Sequence, residues 1–113
     1  MRGFFKFGNP TIELEIGNIE VEFLLDTGFN GEIMLSKGLI KKLNLEMIGI
    51  TDYITASGER NYAEVYKSYI ILFEKRVEVT VLSSQANFSL AGMELFHNYK
   101  ILIERHKDIL EIS

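Results

Sequence analysis

The sequence predicts an all-β protein, a small closed barrel or folded sandwich with one or two short helices. Three observations predict this class: apolar and polar residues alternate with a period of two in several segments, turn-forming residues separate these segments at regular intervals, and helical periodicity is rare. The chain has 113 residues and no linker-like tract, so we expect one domain that spans residues 1–113.

The first hairpin carries the clearest pattern. Apolar and polar residues alternate over 12–16 and again from 19 onwards, around Gly17-Asn18, a pair suited to a tight turn. The second strand ends in three apolar residues in a row, which indicates that it runs into the interior. We therefore expect this strand to deliver Asp26 to a buried position.

The remaining chain reads mostly as short strands. A helix is predicted over 37–43, with Ser36 as its N-cap and Asn44 as a left-handed stop. A brief second helix is predicted over 92–98, and 83–89 is predicted to be a loop. The sum is eight to nine strands, the later ones over 33–35, 48–54, 62–66, 69–73, 77–82, 99–104 and 109–112.

Charge and composition exclude several classes of function. The formal net charge is -4 and Lys and Arg are scattered, which argues against a nucleic-acid partner. The absence of cysteine excludes disulfides, thiolate catalysis and cysteine-based zinc sites. His97 and His106 form no metal-binding pattern, so we expect no metal and no cofactor.

The longest uninterrupted apolar run, Tyr69 to Phe73, has five residues. A membrane span needs roughly 20, so none is expected. The first seven residues alternate charge and aromatic side chains without the apolar core of a signal peptide, which predicts a cytoplasmic protein.

Asp26 is the aspartate whose setting is unusual. The other two, Asp52 and Asp108, have the sequence context of solvated surface. An acid at the inner end of an apolar strand must be held by hydrogen bonds, and the Gly28 amide and the Thr27 hydroxyl are suited to supply them. Asp-Thr-Gly occurs by chance in roughly one chain of this length in fifty, so the triplet gains weight only from its context.

That context is similar to a known family. Three segments in this order, Phe23-Leu24-Leu25-Asp26-Thr27-Gly28, Ala56-Ser57-Gly58 and Leu90-Ala91-Gly92-Met93-Glu94-Leu95, resemble those of the retropepsin-like (clan AA) aspartic proteases. The resemblance is greatest to the short archaeal and bacterial single-domain members, and it covers about Pro10 to Ile112.

The resemblance implies a role for each of these segments. Asp26 would be the catalytic aspartate, Thr27 and Gly28 its supporting loop, and Leu90-Ala91-Gly92 the segment that crosses behind that loop. The flap that covers the substrate would include Thr55, Ala56, Ser57, Gly58 and Glu59. Three departures from the retroviral pattern are Phe29 in place of alanine, a flap with only one glycine, and the small residue Ala91.

A single suitable acid predicts a homodimer. Peptide hydrolysis by carboxylates needs one ionised carboxylate and one protonated partner, and a two-fold axis beside Asp26 would supply the second from another copy. The expected activity is cleavage of polypeptides, favoured below neutral pH. The terminal strands, 4–7 and 109–112, have two open interpretations: they leave unpaired edges that form the dimer interface, or they are ordinary core strands.

Two alternatives remain open at this stage. The chain could keep the fold as a non-proteolytic dimerisation or peptide-binding domain, because fold alone does not establish chemistry. Phosphorylation of Asp26 is disfavoured because Gly28 stands where that chemistry needs a second acid.

Overall fold

A computed structural model describes residues 1–54 and 57–113, and ten strands and one α-helix lie within these ranges. The strands are β1 (Phe4–Lys6), β2 (Asn9–Ile16), β3 (Ile19–Leu25), β4 (Ile33–Ser36), β5 (Met47–Ile54), β6 (Arg60–Leu72), β7 (Lys75–Ser84), β8 (Ser89–Ala91), β9 (Ile101–Glu104) and β10 (Ile109–Ile112). The helix is α1 (Lys37–Lys42), and two 3₁₀ segments are Met93–Phe96 and Arg105–Lys107.

Eight of these strands form a mixed sheet that closes on itself. Their order is β1-β2-β3-β8-β4-β7-β6-β5, and β2 also pairs with β6 through Ile16 and Ile70, so six strands complete a ring. The β3–β8 and β4–β7 pairs are parallel and the other pairs are antiparallel. Apolar side chains such as Phe23, Ile33 and Val81 are fully buried in its core. The predicted all-β closed barrel is confirmed.

The period-two alternation of the first hairpin fixes which face of the ring is inside. Leu14 pairs with Val21, and both are buried, whereas the neighbouring pair Glu13 and Glu22 is exposed. Gly17 takes φ 61 in the turn, a conformation that costs glycine little. A slip of one residue would expose every apolar side chain, so the register is strongly specified.

The helix forms where the sequence predicts it. Ser36 Oγ accepts a hydrogen bond from the Leu39 amide at 3.3 Å, and Asn44 takes φ 54 just beyond the C-terminus. These are an N-cap and a left-handed stop, as expected. No helix in the described part of the chain is long and apolar enough to cross a membrane.

Strand β6 differs from the prediction. The two strands expected at 62–66 and 69–73 are one strand of 13 residues, and its second half pairs with β7. Lys67 and Ser68 do not interrupt it, because Ser68 is buried and Lys67 points outward, where its Nζ donates to Glu78 Oε1 at 2.6 Å. The strand count in the described ranges is nevertheless ten, not eight or nine, because β1 and β8 are strands as well.

Three shorter segments also differ. The helix predicted over 92–98 is the shorter 3₁₀ segment Met93–Phe96. Residues 83–84 continue β7 and Ser89 begins β8, so the loop predicted over 83–89 is shorter at both ends. The strand expected from residue 99 begins at Ile101.

The prediction that the last strand leaves an open edge is wrong. Strand β10 pairs with β9 on one side, and on the other side residues 1–3 run along it through the Arg2–Glu111 bridge and the hydrogen bond from the Gly3 amide to the Leu110 carbonyl at 2.9 Å. Leu110 and Ile112 are fully buried. The termini therefore stabilise their own protomer.

This arrangement predicts that Leu110 contributes to the stability of the protomer. Leu110→Ala should lower the free energy of unfolding by about 2–5 kcal/mol, the usual cost of emptying a buried leucine site. Ile103→Ala, on β9 at 40% exposure, should cost about 1 kcal/mol or less. Urea unfolding at fixed protein concentration measures both, and equal losses would contradict a core role for β10.

Candidate active site

The site is built where one loop crosses the end of a strand. Residues 26–32 connect β3 to β4, and β8 lies between those two strands in the sheet. The Asp26 amide donates to the Ala91 carbonyl at 3.0 Å, the Gly92 amide to the Glu32 carbonyl at 2.8 Å, and the Met93 amide to the Phe29 carbonyl at 2.9 Å. Backbone hydrogen bonds thus tie the loop to the end of β8 at three points.

The crossing leaves no room for a side chain at Gly92. A Cβ atom there would lie 2.2 Å from the Gly31 carbonyl oxygen and 2.8 Å from the Phe29 carbonyl oxygen. Both contacts are to backbone atoms, which cannot move away without breaking the hydrogen bonds of the loop. Glycine is therefore required at this position for steric reasons.

The carboxylate of Asp26 is held by its own loop. The Gly28 amide donates to Asp26 Oδ1 at 2.9 Å, as the sequence predicts. Asp26 is half-buried, whereas Thr27 and Gly28 are exposed, so the expectation of a buried acid is corrected: β3 ends at Leu25 and the chain turns outward there. In the described part of the chain the Thr27 hydroxyl makes no hydrogen bond, unlike the expected contact to Asp26.

Phe29, which stands where the retroviral pattern has alanine, packs against two glycines. A Cβ atom on Gly31 would lie 2.5 Å from Phe29 Cζ, and one on Gly92 would lie 2.6 Å from Phe29 Cδ2. The ring is thus in van der Waals contact with the backbone of both glycines. The large residue therefore fills the space that small neighbours leave.

A groove of about 800 Å³ opens beside this loop. Its volume lies within the range of ligand-binding clefts. Its walls come from the loop, the β5–β6 hairpin, β7 and the 3₁₀ segment, and the described residues that line it are Gly28, Phe29, Asn30, Gly31, Glu32, Thr51, Asp52, Tyr53, Ile54, Val65, Thr80, Leu82 and Glu94.

The predicted flap lies at the tip of the β5–β6 hairpin. Thr55 and Ala56 lie outside the described residues. Ser57, Gly58 and Glu59 are exposed, and Gly58 takes φ 84, which only glycine adopts without strain. The four residues just before the tip, 51–54, line the groove.

Leu90 and Ala91 end β8, and Gly92 follows them and is hydrogen-bonded to the loop. Ala91 pairs with Leu25 on β3 and with Ile33 on β4, and it is fully buried. Among the described residues, no group of three or more His, Asp or Glu side chains is arranged to hold a metal ion.

Comparison with solved structures decides the fold. A retropepsin-like aspartic protease from Rickettsia conorii superposes with a TM-score of 0.73 and 25% identity, over 100% of this chain and 97% of the other. The chain has the retropepsin fold. The EIAV protease in complex with the inhibitor HBY-793 matches with a TM-score of 0.65 and 16% identity, over 80% of this chain and 86% of that protein.

The simian foamy virus protease also matches, with a TM-score of 0.55 and 20% identity, over 73% of this chain and 86% of that protein. At these identities the two viral proteins show the fold alone. No protein-family model and no curated protein sequence matches the chain. The resemblance found in the sequence is thus confirmed by the retropepsin fold, while the roles of individual residues remain predictions.

Within this retropepsin fold, sequence reasoning missed two groups of groove residues. Glu32 and Thr80 lie 48 positions apart, and the Thr80 amide donates to Glu32 Oε1 at 2.8 Å. The parallel pairing of β4 with β7, which brings them together, has no local signature in the sequence. Residues 51–54 were predicted as strand only, although their position beside the flap was a usable signal.

The crossing predicts a large penalty for any side chain at Gly92. Gly92→Ala should lower the free energy of unfolding by about 3 kcal/mol or more, at the upper end of overpacking effects, because its contacts are to backbone. Gly38→Ala is the matched control. Gly38 lies in α1, and a Cβ atom added there would meet nothing within 4 Å, so alanine should be neutral or add about 1 kcal/mol. Similar midpoints for the two variants in chemical unfolding would refute this account of the crossing.

Proposed function

We propose that this protein is a homodimeric aspartic endopeptidase, with residues 1–113 acting as one domain and Asp26 of each subunit supplying one of two catalytic carboxyl groups. The observation that carries the proposal is the geometry of the loop. An aspartate with its Oδ1 fixed by the Gly28 amide lies on an outward-facing turn, beside a groove, in a retropepsin fold.

The chemistry requires the two carboxyl groups to share one proton. Two carboxylates in contact do not both ionise, so one Asp26 is ionised and its copy is protonated. The ionised group takes a proton from water while the water oxygen attacks the scissile carbonyl carbon, and the protonated group donates its proton to the carbonyl oxygen. Collapse of the tetrahedral intermediate breaks the C–N bond, with a proton passed to the leaving amine.

This mechanism sets the pH dependence. The pair is active when it holds one proton and inactive when both groups are ionised or both are protonated. Activity should therefore follow a bell-shaped profile with its maximum below neutral pH, and the two limbs belong to the pair rather than to either residue.

The exposure of the loop supports the need for a second copy. Thr27 and Gly28 are exposed and Asp26 is half-buried, so the protomer leaves the acid accessible from outside. In the described part of the protomer the Asp26 carboxylate forms no ion pair and accepts a hydrogen bond from the Gly28 amide alone. A partner that presents the same loop across a two-fold axis would complete the pair.

An apolar surface next to the loop fits the same second copy. Phe7, Leu24 and Phe88 line one depression, whose lining also includes the Lys6–Glu22 ion pair, and Leu24 lies on β3 two residues before Asp26. Phe7 is 94% exposed and Phe88 is 57% exposed. The positive φ of Phe7 belongs to the two-residue turn that it forms with Gly8 between β1 and β2, so the support for burial against a partner comes from the exposure of the two aromatic rings alone.

A non-proteolytic peptide-binding domain is the second candidate. The observation that favours it is that the described lining of the groove includes Gly28 but not Asp26. A groove of this kind could hold an extended peptide without cutting it. Removal of the Asp26 charge separates the two candidates.

Asp26→Asn should abolish cleavage of a peptide mixture, with a loss of at least about a hundredfold in rate. The side-chain amide oxygen can still accept the hydrogen bond from Gly28, so the loop should stay folded. Mass spectrometry of the digested mixture measures the loss, and circular dichroism checks the fold.

Asp108→Asn is the control for that experiment. Asp108 is exposed, pairs with Arg105 and takes φ 50, a conformation that asparagine tolerates well, so this variant should cut normally. Cleavage that persists in purified Asp26→Asn protein would reject the proposed mechanism. Peptide binding without cleavage in the unmodified protein would favour the second candidate.

Phe88→Ser should weaken the dimer. We expect the protein concentration that gives half-maximal specific activity to rise about tenfold or more, because an exposed aromatic residue at the interface would be lost. Tyr69→Ser is the control, since Tyr69 is 44% exposed beside the Gly17 turn, at the far end of β3 from Asp26. Analytical ultracentrifugation reports the dimer directly, and an unchanged dimer would exclude this surface as the interface.

A further inference from the structure

The charged side chains that line the groove all carry the same sign. Among its described lining residues these are Glu32, Asp52 and Glu94, and none is Lys, Arg or His. A cleft lined by one sign of charge concentrates its field along the groove. A cationic group on a bound peptide would therefore be attracted.

Glu32 is the acid whose position is best defined. It is half-buried, and the Thr80 amide holds its Oε1 at 2.8 Å, which fixes the orientation of the carboxylate. No basic side chain in the described part of the chain forms an ion pair with it. The pKa of Lys67 is raised mainly by Glu78, whose carboxylate lies 2.6 Å from the ammonium group. Glu32 is close enough to Lys67 to add to this rise by its charge.

The other two acids contribute less. Asp52 is exposed and Arg60 already pairs with it, with Nε 3.2 Å from Oδ2. Glu94 is exposed on the 3₁₀ segment, where solvent screens its charge. Glu32 is thus the acid that combines partial burial, fixed orientation and no cationic partner among the described residues.

The apolar residues of the lining limit which ligand side chains fit the groove. Phe29, Val65 and Leu82 line the groove together with Glu32. A ligand group that suits both the apolar wall and the Glu32 carboxylate has a long apolar stem and a cationic end. The side chains of lysine and arginine have this form. A short polar or an anionic side chain would match only one of these features or neither.

We propose that Glu32 is a specificity-determining residue that selects polypeptides with a lysine or arginine side chain close to the cleaved bond. The inference rests on the proposed peptidase function and names its substrate class. Glu32 would receive the ammonium or guanidinium group on the oxygen that Thr80 leaves free, while the stem packs along Phe29 and the neighbouring aliphatic side chains.

The first experiment is digestion of a random peptide mixture by the full-length protein, with Asp26→Asn protein as the blank. Sites that disappear in the blank are aligned on the cleaved bond. We expect lysine and arginine to be enriched at one position near that bond. Asp26-dependent cleavage without such enrichment would overturn the inference and leave the proposed function standing.

The second experiment isolates the charge of Glu32. Glu32→Gln keeps an oxygen that can accept from the Thr80 amide, so the fold should be unaffected. For a cleaved peptide, kcat/KM should fall about tenfold with lysine at the selected position, equivalent to about 1.4 kcal/mol, and should not change with norleucine there. Glu13→Gln, an exposed acid on β2 outside the groove, should leave both peptides unchanged. An equal loss for both peptides would indicate a structural role and overturn the inference.

A binding measurement covers the case in which no bond is cut. The lysine and norleucine peptides are labelled, and their affinities for Asp26→Asn protein and for the Asp26→Asn, Glu32→Gln double variant are compared by fluorescence anisotropy. Tighter binding of the lysine peptide that is lost in the double variant supports the selection by Glu32 even if the proposed peptidase fails. Equal affinities for the two peptides refute it.

Discussion

The close approach of two backbone segments at Gly92 is the constraint on which the rest of the site depends. The loop after β3 can pass over the end of β8 only because no side chain stands at that position, and the approach permits the hydrogen bonds from the Gly92 and Met93 amides. These bonds fix the turn that carries Asp26. A rigid turn holds the carboxylate in one orientation at little further entropic cost, which is what the proposed pairing of Asp26 with its copy would require.

The same crossing also shapes the groove. Phe29 lies on the loop, packs on the backbone of Gly31 and Gly92, and forms part of the groove wall. Glu32 follows at the end of the loop and is bound to β7 through the Thr80 amide. The position of Asp26, the apolar groove wall at Phe29 and the orientation of the Glu32 carboxylate therefore all depend on the loop crossing at Gly92. A change at the crossing would disturb all three together, whereas a change at Glu32 affects the charge of the groove alone.

Local patterns in the sequence predicted the elements better than their arrangement. Alternation over 12–25 and the signals around α1 located the first hairpin and the helix, because both depend on neighbours in the chain. The closed ring depends on parallel pairs between distant strands, β3 with β8 and β4 with β7, and these leave no local pattern. The resemblance to a known family supplied what the pattern could not. Glu32 was missed because its partner, Thr80, is close only after the sheet closes.

The closure of the termini on their own protomer bears on how such a dimer would work. Residues 1–3 and β9 already pair with the two edges of β10, so the protomer does not need a partner to cover that strand. Under the proposed function the two copies would then meet through the active-site loops and the surface beside them rather than through an exchanged terminal sheet. A folded, inactive protomer would persist at low concentration, and the acid pair would exist only where the protein is abundant, so assembly itself would control when peptide bonds are cut.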